Sequence, residues 1–200
     1  MLEVKDATIA VEGKVLAKGL SFMVENGQLT CVTGSSGSGK TTLLRTLMGF
    51  VPVAEGFVSV DGELLTVNSA RAFRSMMTYL PQEIQSLGHQ LNAPQTPLCE
   101  AEDYGVWNAL LPAVAPEPQP SPLSPEEIFL LAQQTLQHTG DKTIVIADEP
   151  AAHLTPELTL RLIELIEQQV ASGKAVLVAS RRAEIVSRAH QVINLDLIER

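Results

Sequence analysis

The sequence predicts an α/β fold built on a mostly parallel sheet, and three observations carry that expectation. The apolar run Leu29-Thr30-Cys31-Val32-Thr33 enters the glycine-rich stretch Gly34-Ser35-Ser36-Gly37-Ser38-Gly39-Lys40-Thr41, and Thr42-Leu43-Leu44-Arg45-Thr46-Leu47-Met48 follows with helical spacing. That order is strand, loop, helix. From Ser124 onward, helical patterns alternate with short apolar runs, which implies a parallel sheet covered on both faces. One of those runs, Ile144-Val145-Ile146-Ala147, is apolar at every position and ends on Asp148-Glu149.

The elements follow in order. Residues 2–11, 14–24, 29–33 and 57–60 are rich in Val, Leu, Ile, Thr and Phe and read as strands, with turns at Glu12-Gly13, Asn26-Gly27, Glu55-Gly56 and Asp61-Gly62. Another apolar segment ends at Tyr79-Leu80-Pro81-Gln82-Glu83. The stretch from Pro81 to Pro122 carries Pro94, Pro97, Pro112, Pro116, Pro118 and Pro120; it predicts a short helix around 102–111 and a stiff polar linker over 113–122. Regular structure resumes at Ser124: helix at about 125–138, strand at 143–147, helix at about 156–171, strand at 175–179, helix at about 182–189 and strand at 192–195.

Composition bounds the rest. A chain of 200 residues with 45% hydrophobic content supplies one buried core, so residues 1–200 read as a single domain. No apolar run is long enough to span a bilayer, and Met1-Leu2-Glu3-Val4-Lys5-Asp6 is neither a signal nor a transit peptide, so a soluble, cytoplasmic protein is expected. A formal net charge of −9 disfavours nucleic acid, which needs a dense basic face. Cys31 and Cys99 make no disulfide framework, and His89, His138, His153 and His190 have no metal-ligand spacing.

Residues 34–41 match G-x-x-x-x-G-K-[ST], in which each fixed position has a physical role. Gly34, Gly37 and Gly39 leave no Cβ between backbone N–H groups and a phosphate, and the helix N-terminus completes a concave anion site. Lys40 would reach the β- and γ-phosphates of a nucleotide, and Thr41 would offer its hydroxyl to Mg2+. Asp148, at the end of a buried strand, would hold that ion through its water shell, and Glu149 would orient or deprotonate an attacking water. The Gln82 amide could touch metal or water. Each signal also has a plainer reading: a flexible Gly/Ser loop, an acidic turn, an ordinary strand end.

Taken together these motifs resemble the ABC-type ATPases, the nucleotide-binding subunits of ATP-binding-cassette transporters, along essentially the whole chain. Residues 19–27 resemble the family's lead-in to the phosphate loop, 34–41 its Walker A motif, Gln82 its Q-loop glutamine, and 144–149 its Walker B motif with the catalytic glutamate; 173–180 and 188–196 resemble its last strands. The resemblance implies a P-loop NTPase (RecA-like) core, an N-terminal antiparallel β-subdomain, and a short helical subdomain inserted over about 83–138. It implies ATP and Mg2+ as cofactors. Gly34, Ser35, Ser36, Gly37, Ser38, Gly39, Lys40, Thr41, Thr42 and Arg181 would bind the nucleotide, Thr41, Gln82 and Asp148 the metal, and Glu149, Lys40 and Gln82 would serve catalysis. The implied partners are a transmembrane permease and a second ATP-binding subunit, as a homodimer or a heterodimer, at the inner face of the cell membrane.

The departures from that family are as informative. At the LSGGQ signature the chain reads Leu123-Ser124-Pro125-Glu126-Glu127, where Pro125 has no N–H and the glutamates oppose a phosphate; Ser124, Pro125 and Glu127 fit an N-cap, a first helical residue and a capping box instead. Ala151-Ala152-His153-Leu154-Thr155 replaces the loop that links the two sites of a dimer, with Thr155 as a helix cap. Arg181 stands at the switch histidine, either meeting a γ-phosphate or solvated, and no aromatic residue precedes Phe22 to stack on a base. Tyr104, Val106 and Trp107 are candidates for permease contact or for a small local core. Two functions therefore stand: an ATPase subunit energising a separate permease, and a nucleotide-binding regulatory module with little or no hydrolysis.

Overall fold

The computed structural model describes residues 1–11, 13–84 and 123–199. The expected helix at 102–111, the linker at 113–122, and Tyr104, Val106 and Trp107 lie outside the described residues.

Two sheets form the scaffold. Strands β1 (Leu2–Val11), β2 (Lys14–Val24), β4 (Glu55–Val60) and β5 (Glu63–Leu64) make an antiparallel sheet in the order β2-β1-β4-β5. Strands β3 (Leu29–Thr33), β6 (Met77–Leu80), β7 (Ile144–Asp148), β8 (Ala175–Ala179) and β9 (Gln191–Asn194) make a parallel sheet in the order β6-β7-β8-β3-β9. Helices α1 (Lys40–Leu47), α2 (Ala70–Ser75), α3 (Pro125–Gln137), α4 (Pro156–Ala171) and α5 (Ala183–Val186) complete the described elements, with a 3-10 turn at Leu195–Leu197.

The all-apolar central strands are explained by two cores, one on each face of the parallel sheet. Successive side chains of a strand point to opposite faces. Thus Ile144 and Ile146 of β7 join a core with Val32, α1 residues Leu43, Leu44 and Leu47, and the antiparallel sheet. Val145 and Ala147 face the other way, into a core with Ile128, Phe129 and Leu136 of α3 and Leu158, Leu162 and Ile166 of α4. The same alternation divides β8, with Leu177 on one side and Val176 and Val178 on the other. Each large aliphatic side chain so buried stabilises the fold by about 1.5–3 kcal/mol.

Several boundaries differ from expectation by a residue or more. Strand β4 begins at Glu55, where a turn was expected, because Glu55 pairs with Thr8 across a bulge in β1 and accepts the Thr8 hydroxyl at 3.0 Å. A Cβ on Gly56 (φ 75°) would sit 2.3 Å from the Asp6 carbonyl oxygen, so glycine is required inside this strand. Helix α5 spans only Ala183–Val186 rather than 182–189, because i→i+3 bonds from Arg188 and Ala189 tighten and end it. Leu195 leaves the last strand for the 3-10 turn, where the Asn194 side chain accepts the Asp196 N–H at 3.0 Å. Strand β5 and helix α2 had no sequence signal: α2 buries only Ala70 and Phe73, and its start depends on reciprocal Thr66 and Ser69 bonds.

This topology brings the C-terminal ends of β3, β6, β7, β8 and β9 to one edge of the parallel sheet. In open α/β sheets that edge is where ligands bind.

Candidate functional site

The loop between β3 and α1 is shaped by close backbone approaches. A Cβ on Gly34 would lie 2.7 Å from Ser38 Oγ, and one on Gly39 (φ 102°) would press on Leu16 Cβ at 3.2 Å. The loop therefore needs glycine at both positions to close over the start of α1. Gly37 has open space around its Cα, so the loop surface is left as a cradle of backbone.

Lys40 opens α1 yet is buried, 7% exposed. Its ammonium donates to the carbonyl oxygens of Gly34 at 2.8 Å and Ser35 at 3.1 Å and lies 3.6 Å from Glu149 Oε1. Glu149 follows β7 in a left-handed conformation (φ 42°), held by its N–H donating to Ala179 O at 2.8 Å. A non-glycine residue at such an angle is uncommon and aims its side chain where an extended strand could not. The Glu149 carboxylate also accepts from Arg181 twice, from Nε at 3.3 Å and from the backbone N–H at 3.4 Å. Arg181 is thus neither free in solvent nor alone, which its place in the sequence did not reveal: its side chain is 60% exposed, but its head is paired with Glu149.

Asp148, the last residue of β7, is 1% exposed, and its Oδ1 has no hydrogen-bond partner. Burial pushes its carboxyl above the ordinary aspartate value; the facing Thr41 hydroxyl lowers it, and the neighbouring Glu149 charge raises it further. A carboxyl whose folded pKa is raised favours the fold most below the unfolded value of 3.8, and that contribution is lost as pH rises through the folded value. Asp148→Asn is therefore expected to raise the thermal midpoint of the ligand-free chain at pH 7, with the gain disappearing as the pH falls toward 3.8. Thermal melts of both proteins across that range check it; an Asn variant less stable at pH 7 would contradict it.

Lys40, Glu149 and Arg181 line a groove of about 230 Å³ together with Leu16, Ser36, Gly37, Gly39, Thr41, Thr42 and Gln82. A second recess of about 710 Å³ shares Thr41 and Gln82 with it and adds Asp148, Arg45, Phe50 and Tyr79. The sequence-selected residues Gly34 through Thr42, Gln82, Asp148, Glu149 and Arg181 thus converge on one edge of the sheet. Leu16 was missed. It reaches the loop because bulges in the β1–β2 ladder, between Ala7 and Ile9 and at the steps on either side, shift the phase of β2. Asp196 was also missed: its carboxylate accepts from the Ser35 N–H at 2.7 Å and the Ser35 hydroxyl at 2.8 Å. It lies 161 residues away, and no local pattern links the two.

The capping expectations hold. Ser124 caps α3 by accepting from Glu127 N–H at 3.3 Å, the Glu127 carboxylate accepts the Ser124 N–H at 2.8 Å, and Pro125 is the first helical residue. Those bonds lower the Glu127 carboxyl pKa. Thr155 caps α4 through Leu158 N–H at 3.3 Å. The N-terminus of α3 therefore presents a proline ring, which has no N–H, and a Glu127 N–H already bonded to Ser124.

The profile of the family described as ABC transporter matches residues 17–152. The chain is 28% identical over 198 residues to the ABC transporter atnG of Emericella nidulans, covering 92% of this chain and 12% of that protein. It is 28% identical over 214 residues to the probable multidrug resistance ABC transporter ATP-binding/permease protein YheH of Bacillus subtilis, covering 98% of this chain and 31% of that protein. Against the ribose import ATP-binding protein RbsA of Bacillus cereus it covers 40% of the relative, so it spans well under half the length of these curated relatives. Among solved structures, a bacterial Atm1-family ABC exporter with ATP bound superposes at a TM-score of 0.71 with 20% identity, over 98% of this chain and 37% of that one. A dimeric ATP-binding cassette in a post-hydrolysis state with ADP and Pi superposes at 0.67 with 18% identity, over 100% of this chain and 97% of that one.

Proposed function

Since the chain belongs to the ABC transporter family and is its ATP-binding domain, we propose that it binds and hydrolyses ATP with Mg2+ to energise a separate transmembrane permease. The observation that carries the reading is the meeting of Lys40, Thr41 and Glu149 at one groove, with Lys40 3.6 Å from Glu149 and Asp148 in the adjoining recess that shares Thr41. The residues suit the cofactors. An open backbone cradle at Gly37, in a loop that glycine at 34 and 39 allows to close tightly, suits phosphate oxygens, and the buried, unpartnered Asp148 Oδ1 beside Thr41 suits a divalent cation. Mg2+ would supply charge neutralisation at the phosphates.

In this reading the backbone N–H groups of Ser36, Gly37, Ser38 and Gly39 and of Lys40, Thr41 and Thr42 would hold the phosphates, and Lys40, kept seated by the Gly34 carbonyl, would exchange its Ser35 and Glu149 contacts for phosphate oxygens. Thr41, Gln82 and Asp148 would hold the metal, and Glu149 would take the proton of the attacking water. Arg181 meets the terminal phosphate once it leaves Glu149.

Dimerisation with another ATP-binding subunit belongs to the same proposal. The capped N-terminus of α3 favours a heterodimer, because two copies of this chain would each present Pro125 where a phosphate-binding signature is needed. Membrane association would come through the permease, since no helix among the described residues is long and apolar enough to cross a membrane. The regulatory alternative is favoured by the Arg181 pair, which occupies the general base. Calorimetric ATP binding with and without Mg2+, together with steady-state hydrolysis, separates the two: turnover supports the motor subunit, and tight Mg2+-dependent binding without turnover supports the regulatory module. Absence of binding would remove both.

A further inference from the structure

We propose that Asp196 is a positioning residue for Lys40, acting through the orientation of the Gly34-Ser35 peptide plane. The inference rests on the reading that this loop binds phosphate. No peptide bond of the described chain is cis, so the Gly34 carbonyl and the Ser35 N–H point in opposite directions across one planar amide. Asp196 grips the Ser35 N–H at 2.7 Å from the outer side of the loop, which turns the Gly34 carbonyl inward, where Lys40 Nζ donates to it at 2.8 Å. The second carboxylate oxygen fixes the Ser35 hydroxyl at 2.8 Å, making a two-point grip. Lys40 Nζ also donates to the Ser35 carbonyl at 3.1 Å. Both carbonyls that seat the ammonium thus belong to residues the Asp196 grip orients.

This peptide plane would otherwise be a soft point of the loop. Rotating it changes ψ of Gly34 and φ of Ser35, and glycine accommodates such a change more readily than any other residue. A flipped plane would withdraw the Gly34 carbonyl from Lys40 and present an N–H to the ammonium. Asp196 is itself held in place: its N–H donates to Asn194 Oδ1 at 3.0 Å, and the preceding Leu195 is 1% exposed and packs beside Gly34. The turn after the last strand is therefore a strut for the phosphate loop.

The test uses two independent readouts. In proton–nitrogen spectra of the ligand-free chain, the Ser35 amide should lie downfield and move upfield in Asp196→Ala, with Asp196→Asn intermediate because it keeps an acceptor. By calorimetry with Mg2+, Asp196→Ala should weaken ATP binding about tenfold, an effect the size of a lost charge-assisted hydrogen bond. In a Lys40→Ala background the same substitution should change ATP affinity less than about twofold, because its effect passes through Lys40. An unmoved Ser35 amide would overturn the proposal, as would a tenfold loss that persists without Lys40, or a fall in thermal midpoint with ATP affinity intact. Should the unaltered chain fail to bind ATP, the proposed function fails, while the ligand-free spectra still decide whether Asp196 sets the plane.

Discussion

Glu149→Gln is expected to lower the steady-state rate of ATP hydrolysis about a thousandfold while leaving ATP binding measurable, the size of effect carried by a positioned general base. The substitution is nearly isosteric. It keeps an oxygen to accept from the Arg181 N–H and a backbone N–H to bond Ala179 O, so the left-handed turn at φ 42° persists. What it removes is the negative charge between Lys40 and Arg181 and the ability to accept a proton. Arg181 must leave Glu149 before that carboxylate can act on water, so Arg181→Ala should free the base while forfeiting the phosphate contact. Unchanged thermal midpoints for Glu149→Gln, measured beside the rates, would exclude a folding defect. Turnover within threefold of the unaltered chain would remove Glu149 from the chemistry and favour the regulatory alternative.

Lys40→Ala should have a comparably large effect on binding, weakening ATP by about a hundredfold or more. Hydrogen bonds to charged groups contribute about 1.5–3 kcal/mol each, and the ammonium can direct more than one at the phosphates. The loss reaches beyond the ligand. The Gly34 and Ser35 carbonyls would lose the donor that they seat, and among the described residues Glu149 would keep Arg181 as its one ion-pair partner. Arginine is a poor substitute: a planar guanidinium cannot fit a point-charge seat made by two carbonyls of a tight loop. Calorimetric titration of the variant with ATP and Mg2+ checks the expectation; affinity within threefold of the unaltered chain would contradict the placement of phosphate at this loop.

Much of this site was legible because its chemistry is local. Residues 34–41 specify a loop by glycine spacing, and that spacing is imposed by contacts within a few residues, such as Gly34 against Ser38. Strand β7 was legible because burial on both faces leaves every position apolar until the carboxylates at its end. The caps of α3 and α4 were legible for the same reason, since a capping box is closed by residues three positions apart. Helix α2 was not, because so short an element with two buried residues carries no periodic signal.

The sequence by itself determined the glycine-rich loop before α1, the strand bearing Asp148 and Glu149, the parallel α/β class and the helix cap at Ser124-Pro125-Glu126-Glu127, because each is written in neighbouring residues. Tertiary structure alone decided who meets whom at the sheet edge. It brought Leu16 onto Gly39 through bulges in a different sheet, turned Arg181 onto Glu149, and carried Asp196 across 161 positions to Ser35. The physical reason is common to all three: a strand's direction is set by its pairing partners, so the groups gathered at its end depend on strand order, which no local run of residues encodes.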